Sequence, residues 1–321
     1  MAYRGAILDD YQNVVLKTAD WSGVTKDIDF TVFNEPILGG PDKVVAALKD
    51  FEIVCLMRER TLFRADVINA LPKLKLILTS GMRNAAIDVN AAAERGIPVC
   101  GTESLGHPTA ELTFGLMLEL TRHIGYENAR MKAGQKWQIT IGEDLNGKTL
   151  GILGLGKLGS RVAKVGKAFG MKVIAWSQNL TAEKAAEAGA TLVSKEELFK
   201  QSDFVTVHLQ LSGRTKGLVG AAELGLMKPT AYFINTSRGP IADEKAIEAA
   251  LRGKKIKGAA LDVYDVEPLA LDHPFRKLDN LITTPHLGYV TAENYKGYFV
   301  QFVEDLRAWL DGKPVRVIPA K

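Results

Sequence analysis

The apolar run Thr149-Leu-Gly-Ile-Leu153 passes directly into Gly154-x-Gly156-x-x-Gly159. A helical pattern from Ser160 to Phe169 follows, then a second apolar run, Lys172 to Trp176. Strand, glycine turn, helix and strand in this order form the context in which a dinucleotide fingerprint carries meaning. Gly154 suits the tight turn, Gly156 the close approach of backbone to a pyrophosphate, and Gly159 the packing of helix on strand. Lys157 and Leu158 complete the candidate cofactor loop, where a helix N-terminus offers free N–H groups and a positive dipole end.

A chain of 321 residues exceeds one ordinary core, so two domains are expected. Before the fingerprint, short apolar runs (Ala6–Leu8, Phe30–Phe33, Ile53–Leu56, Leu76–Thr79, Pro98–Cys100) alternate with helical patterns at Asp42–Leu48, Ala65–Ala70 and Val89–Arg95. That alternation predicts a parallel sheet with helices on both faces. It has no glycine fingerprint and reads as the substrate-side unit. A helix is expected from Thr109 to about His123, an irregular polar stretch with Trp137 from Ala129 to Gly147, and a capping box at Ser194 and Glu197. Ala292 to Leu310 reads as a long amphipathic closing helix. The fold class is therefore α/β, with two Rossmann-like or flavodoxin-like parallel-sheet domains.

The net charge of +4 is spread along the chain with no block of like charges, which argues against a nucleic-acid surface. No apolar run reaches the roughly 18 residues that a membrane span requires. Cys55 and Cys100, the only cysteines, read as small buried hydrophobes in a reducing compartment, and no metal spacing occurs. A cytoplasmic protein without nucleic-acid or membrane partners is expected.

In an open parallel sheet, ligands sit beyond the carboxyl ends of the strands. The strand Ala231–Asn235 is followed by Thr236-Ser-Arg238-Gly-Pro240, Gly258–Val263 by Tyr264-Asp-Val-Glu267-Pro268, and Leu281–Thr283 by Thr284-Pro-His286-Leu-Gly288. An arginine, an acid and a histidine thus meet at one sheet edge. A guanidinium can hold a planar carboxylate bidentately. A histidine can give or take a hydroxyl proton near neutral pH, with a carboxylate fixing its orientation. His208 at a strand end reads as structural or cofactor-edge, His107 as hinge packing, and His123 and His273 as surface or loop residues. Asp262, placed within a strand, reads as a cofactor-edge or buried hydrogen-bonding residue.

The glycine fingerprint, Ile234-Asn-Thr-Ser-Arg-Gly239, Leu261-Asp-Val-Tyr-Asp-Val-Glu-Pro268 and Thr284-Pro-His-Leu-Gly288 occur in the order and spacing of the D-isomer-specific 2-hydroxyacid dehydrogenases. The chain resembles that family, most clearly from Leu76 onward. The resemblance implies hydride transfer between a nicotinamide cofactor and a small 2-oxo or D-2-hydroxy acid. It implies that Arg238 binds substrate, Glu267 is the partner acid and His286 the acid/base, with Thr236, Asp262 and Gly288 at the cofactor. It further implies a discontinuous substrate domain (1–102 with 290–321), a Rossmann domain (103–289), an active-site cleft between domains, and a homodimer with the helix after Pro108 and the Trp137 segment near its contact. Formate- and phosphite-type dehydrogenases share this architecture, as do redox-sensing corepressor-like binding proteins. The complete Arg/Glu/His set fits the hydroxyacid reaction better than formate oxidation.

Two departures from the family pattern carry information. The second fingerprint strand ends in Ser177, where an acid normally meets the ribose hydroxyls of NAD. Use of NADP, or of NAD and NADP both, is therefore expected, although no arginine stands beside Ser177. In the first domain the family's glycine-rich turn is replaced by Gly81-Met82-Arg83-Asn-Ala-Ala-Ile-Asp88. Gly81, Met82 and Arg83, together with Arg58 after the preceding strand, are candidate substrate-binding residues. The added positive charge would favour a substrate with a second anionic or polar end; the alternative is that Arg83 faces solvent or pairs with a carboxylate.

Overall fold

The computed structural model describes residues 2–320, which divide into two compact units, residues 2–105 with 291–320 and residues 106–290. The first unit begins with β1 (Tyr3–Ile7), α1 (Val15–Thr18), β2 (Ile28–Val32), α2 (Pro41–Leu48), β3 (Ile53–Leu56), α3 (Ala65–Asn69), β4 (Leu76–Thr79), α4 (Val89–Glu94) and β5 (Val99–Gly101). Its sheet runs β2-β1-β3-β4-β5, and all these pairs are parallel. β3 and β4 are buried along their whole length. Central strands covered on both faces read as unbroken apolar runs, which is why Ile53–Leu56 and Leu76–Thr79 announce themselves in sequence.

The second unit opens with α5 (His107–Arg122) and α6 (Ile124–Lys132). It continues through β6 (Thr149–Leu153), α7 (Lys157–Ala168), β7 (Lys172–Trp176), α8 (Ala182–Glu187), β8 (Thr191–Leu192), α9 (Lys195–Gln201), β9 (Phe204–Val207), α10 (Ala221–Leu226), β10 (Tyr232–Asn235), α11 (Glu244–Arg252), β11 (Gly258–Leu261) and β12 (Leu281–Thr283). Its seven strands lie in the order β12-β11-β10-β9-β6-β7-β8. The fingerprint strand β6 pairs with β7 on one side and β9 on the other, so the order of connection reverses beside it. One apolar cluster covers each face, the first around Phe199, Phe233 and Phe275, the other around Phe114, Val162 and Phe204.

Several expectations need correction. Helix α7 starts at Lys157, not Ser160, because Gly156 is already its N-cap. Helix α5 starts at His107, with Pro108 in its first turn where a missing N–H costs nothing. His107 is therefore helical. The polar stretch from Ala129 is helical as far as Lys132; α6 buries no residue, so it has no apolar period to read. Asp262 lies just beyond β11. Ser194 accepts from the Glu197 N–H at 3.1 Å, but the Glu197 carboxylate is taken by Gln201, so that capping box is one-sided.

The last helix, α12 (Ala292–Leu310), belongs to the first unit. It buries Tyr295, Tyr298, Phe299, Phe302 and Leu306, and also one carboxylate, Asp305. Arg316 donates to Asp305 at 2.9 Å, while its carbonyl accepts from Gly101 N–H at 3.0 Å and Ile318 N–H donates to Val99 at 2.8 Å. The tail is thereby clipped antiparallel to β5 through the Cys100–Val317 bridge. Cys55 and Cys100 are free and buried, and burial pushes the Cys100 thiol up to about 12.

Burial raises Asp305 to about 7 despite the Arg316 guanidinium beside it, with Glu304 pushing the same way. A carboxyl that is easier to protonate folded than unfolded stabilises the fold below its unfolded value of 3.8, and that stability is lost as pH rises through about 7. The wild-type melting temperature should therefore fall by several degrees between about pH 4 and 7 relative to Asp305→Asn. Parallel melting curves for the two proteins over that window would refute this.

Candidate active site

The register of the second sheet sets the three strand ends side by side. Asn235 pairs with Leu261, and Leu261 with Thr283. The residues that follow β10, β11 and β12 are therefore neighbours. His286 Nδ1 lies 2.7 Å from Glu267 Oε2. Because a carboxylate only accepts, Nδ1 carries the proton of this bond and Nε2 is the nitrogen left for exchange. Glu267 Oε1 accepts from the Tyr264 N–H at 2.9 Å, which fixes the second oxygen. The side chains of His286 and Glu267 are 16% and 27% exposed, enough shelter to strengthen their contact and enough access for a ligand.

His286 occupies the left-handed region, with φ 54°, a conformation uncommon for any residue but glycine. Two features hold it there. Its own N–H reaches the Thr284 carbonyl at 3.0 Å across Pro285, and its ring meets Tyr289 edge-on at 5.3 Å. Asp262 braces the rest of the turn, accepting from Thr284 Oγ1 at 2.6 Å, Leu287 N–H at 2.7 Å and Gly288 N–H at 2.8 Å. Burial raises the Asp262 carboxyl, opposed by those donors and by the His286 charge. Thr236 is buried against Thr113, their hydroxyls 3.1 Å apart.

Arg238 follows β10 and is partly buried; its guanidinium donates to the Ser237 carbonyl at 2.7 Å, and its own carbonyl accepts from Asn235 at 3.0 Å. Gly239 comes next, pressed so closely on the Tyr264–Asp265 peptide that a Cβ there would collide with backbone. The arginine turn and the glutamate turn are thus in direct backbone contact. Sequence reasoning passed over Tyr264 and Gly239, although both lie inside the motifs that carry the resemblance.

His208 stands at the end of β9, where burial pulls its imidazole down to about 3. It stays neutral, with Nε2 3.0 Å from Thr206 Oγ1. His273 caps a short turn, and His123 ends α5 in the left-handed region. Neither touches the Glu267–His286 pair.

The glycine loop fits a dinucleotide. Gly154 has φ 100°, open to glycine without strain, and its carbonyl sits where a Cβ on Gly159 would be. A Cβ on Gly156, by contrast, would meet nothing within 4 Å, so that side of the loop is open. The adjoining residues Lys157 and Leu158 begin α7 and present its first N–H groups. Ser177 follows β7 directly, and its hydroxyl accepts from the Leu155 N–H at 3.0 Å, tying the strand end to the glycine loop.

In the first unit, Arg58 follows β3 with φ 52° and donates to the Ser80 carbonyl at 3.1 Å. Its guanidinium lies over Gly81, which has φ 91°. Met82 and Arg83 are exposed in the turn after β4. Among the described residues no group of histidines, cysteines and acids could hold a metal, and no helix is long and apolar enough to cross a membrane.

Residues 114–288 match the family model described as "D-isomer specific 2-hydroxyacid dehydrogenase, NAD binding domain". A glyoxylate reductase of Aeropyrum pernix is 38% identical over 257 residues, 77% of this chain and 77% of that protein. A D-3-phosphoglycerate dehydrogenase of Methanocaldococcus jannaschii is 39% identical over 276 residues, 85% of this chain and 52% of that protein. The chain thus spans about half the length of the phosphoglycerate dehydrogenases it matches. The crystal structure of a phosphoglycerate oxidoreductase from Vibrio cholerae superposes with a TM-score of 0.90 at 35% identity, covering 97% of this chain and 99% of that one. With a matching NAD-binding domain, relatives of this identity and two all-parallel sheets, the chain belongs to the D-isomer specific 2-hydroxyacid dehydrogenase family.

Proposed function

We propose that this protein is an oxidoreductase that reduces a small 2-oxo acid to its D-2-hydroxy acid. The observation that carries the reading is the 2.7 Å contact of His286 Nδ1 with Glu267, at the strand ends of the NAD-binding unit. A reduced nicotinamide dinucleotide, when bound, would supply the hydride that the substrate's C2 accepts. His286 Nε2 gives its proton to the carbonyl oxygen, which becomes the hydroxyl. Glu267 stabilises the charged imidazole before that transfer and keeps the ring oriented. Arg238 offers the fork that a planar carboxylate accepts. Gly81 and Met82 add contacts to the substrate, and Arg58 and Arg83 favour one with a second anionic end. Thr236, Asp262 and Gly288 would hold the nicotinamide side of the cofactor, and Gly154 to Gly159 its pyrophosphate. Turnover with glyoxylate, hydroxypyruvate and pyruvate tests the reading. Absence of turnover with all three would favour a nucleotide-sensing binding protein.

The cofactor reading is that NADPH is used as well as NADH. Ser177 places a hydroxyl, already engaged by Leu155, where a carboxylate would repel a 2′-phosphate. The expected kcat/KM values for NADPH and NADH lie within about tenfold of each other, because no repulsive charge of the 1.4 kcal/mol class separates them. A larger preference for NADH would sink the idea.

The working form is proposed to be a cytoplasmic homodimer, two unbridged cysteines being suited to a reducing compartment. Ile124, Tyr126, Met131, Trp137, Ile139 and Ile141 are all exposed in one stretch, 94% in the case of Ile141. An apolar surface of this kind marks an association site. Sedimentation should give twice the chain mass at micromolar concentration, and Trp137→Glu should shift it to the monomer. A monomeric wild type counts against the dimer.

A further inference from the structure

Tyr264 touches all three turns of the candidate active site. Its hydroxyl lies 3.0 Å from the Leu261 carbonyl and 3.0 Å from the Thr284 carbonyl. Its N–H holds Glu267 Oε1 at 2.9 Å. Its carbonyl carbon is the backbone atom on which Gly239, next to Arg238, rests. The residue is 6% exposed, so these contacts are shielded from water.

The Thr284 carbonyl has a second duty. It accepts the His286 N–H at 3.0 Å, closing a three-residue turn with Pro285 at its centre. That turn delivers His286 at φ 54°. Proline fixes its own φ and suits the central place, but nothing in its ring prevents His286 from relaxing out of the left-handed region. A carbonyl held by a buried hydroxyl does resist that relaxation, because moving it would hand the phenol's single proton to Leu261 alone and leave the Thr284 carbonyl with one donor fewer. Asp262 restrains Leu287 and Gly288 through their N–H groups and Thr284 through its side-chain hydroxyl; Tyr264 holds the Thr284 carbonyl, from which the turn is hung.

We infer that Tyr264 is a positioning residue: its buried hydroxyl locks the Thr284–His286 turn, and its backbone aims Glu267, so that His286 meets Glu267 in one geometry. The inference deepens the proposed reaction and rests on His286 as its proton donor. The Tyr264 hydroxyl acts on the Leu261 and Thr284 carbonyls, and through the latter on His286.

Tyr264→Phe removes the hydroxyl and keeps the packed ring. Two readouts in the full-length protein decide. With NADH and glyoxylate, kcat should fall about tenfold, the scale of one lost buried hydrogen bond, while KM for glyoxylate changes less than about twofold. Independently of turnover, the downfield proton resonance of the His286 Nδ1–Glu267 bond should broaden through exchange with water. Its assignment comes from its loss in His286→Asn. Incorporating 3-fluorotyrosine, which keeps a hydroxyl at position 264, should restore both. A Tyr264→Phe protein with a sharp resonance and kcat within about twofold of wild type overturns the inference. If the wild type reduces no 2-oxo acid, the proposed reaction falls, and the resonance alone still decides whether Tyr264 places His286.

Discussion

His286→Asn should lower kcat on a 2-oxo acid by about 10²- to 10⁴-fold, the range general acid–base groups contribute, with little change in NADH affinity. Asparagine is the informative replacement because it tolerates the left-handed conformation that His286 adopts at φ 54°, so the turn survives the substitution. Leu287 and Gly288 N–H groups would keep their bonds to Asp262, and the nearby backbone would stay in place. What is lost is the ring nitrogen that gives the proton. Glu267 would then face an amide in place of an imidazole, which adds the modest cost of one weakened hydrogen bond. NADH titration by fluorescence, beside steady-state kinetics, separates the two effects. A kcat within tenfold of wild type would remove His286 from the chemistry.

Part of this site is legible in the sequence and part is not, for identifiable reasons. Arg238, Glu267 and His286 each follow a short β-compatible run, and strand ends in a parallel sheet face the ligand. The pairing of Leu261 with Thr283 then does what no local pattern can show, bringing Glu267 beside a histidine nineteen positions later. Asp262 reads as a strand residue because Gly258–Val263 is uninterrupted in hydropathy apart from it; the ladder stops at Leu261, and the carboxylate turns to three donors of the His286 turn. Tyr264 has no sequence signature as a brace. Its role depends on two carbonyls, Leu261 and Thr284, whose directions are set only once the sheet has formed. Helix α6 was missed for the opposite reason: all of its residues stay accessible, and an element without a buried face has no period. Ser177 could be read as a missing acid, but its bond to Leu155 could not.

The glycine loop separates two effects that substitutions usually mix. Gly156→Ala should leave the melting temperature of the nucleotide-free protein unchanged, since its φ of −85° suits alanine and the added Cβ meets nothing within 4 Å. Gly159→Ala should lower it, because its Cβ would fall on the Gly154 carbonyl, and overpacking against backbone costs about 1 to 3 kcal/mol. Gly154 cannot easily yield. It has φ 100°, and space for a Cβ of its own is closed by the His208 carbonyl at 2.6 Å. Both variants should nevertheless weaken NADH binding by about tenfold to a hundredfold, the first by standing where the pyrophosphate would approach, the second by displacing the loop. The pair therefore distinguishes a glycine required by the ligand from one required by the fold. Wild-type NADH affinity in Gly156→Ala would mean that the pyrophosphate does not lie against this residue. Unchanged melting in Gly159→Ala would mean that helix α7 can move away from β6 at no cost, contrary to the contact with Gly154.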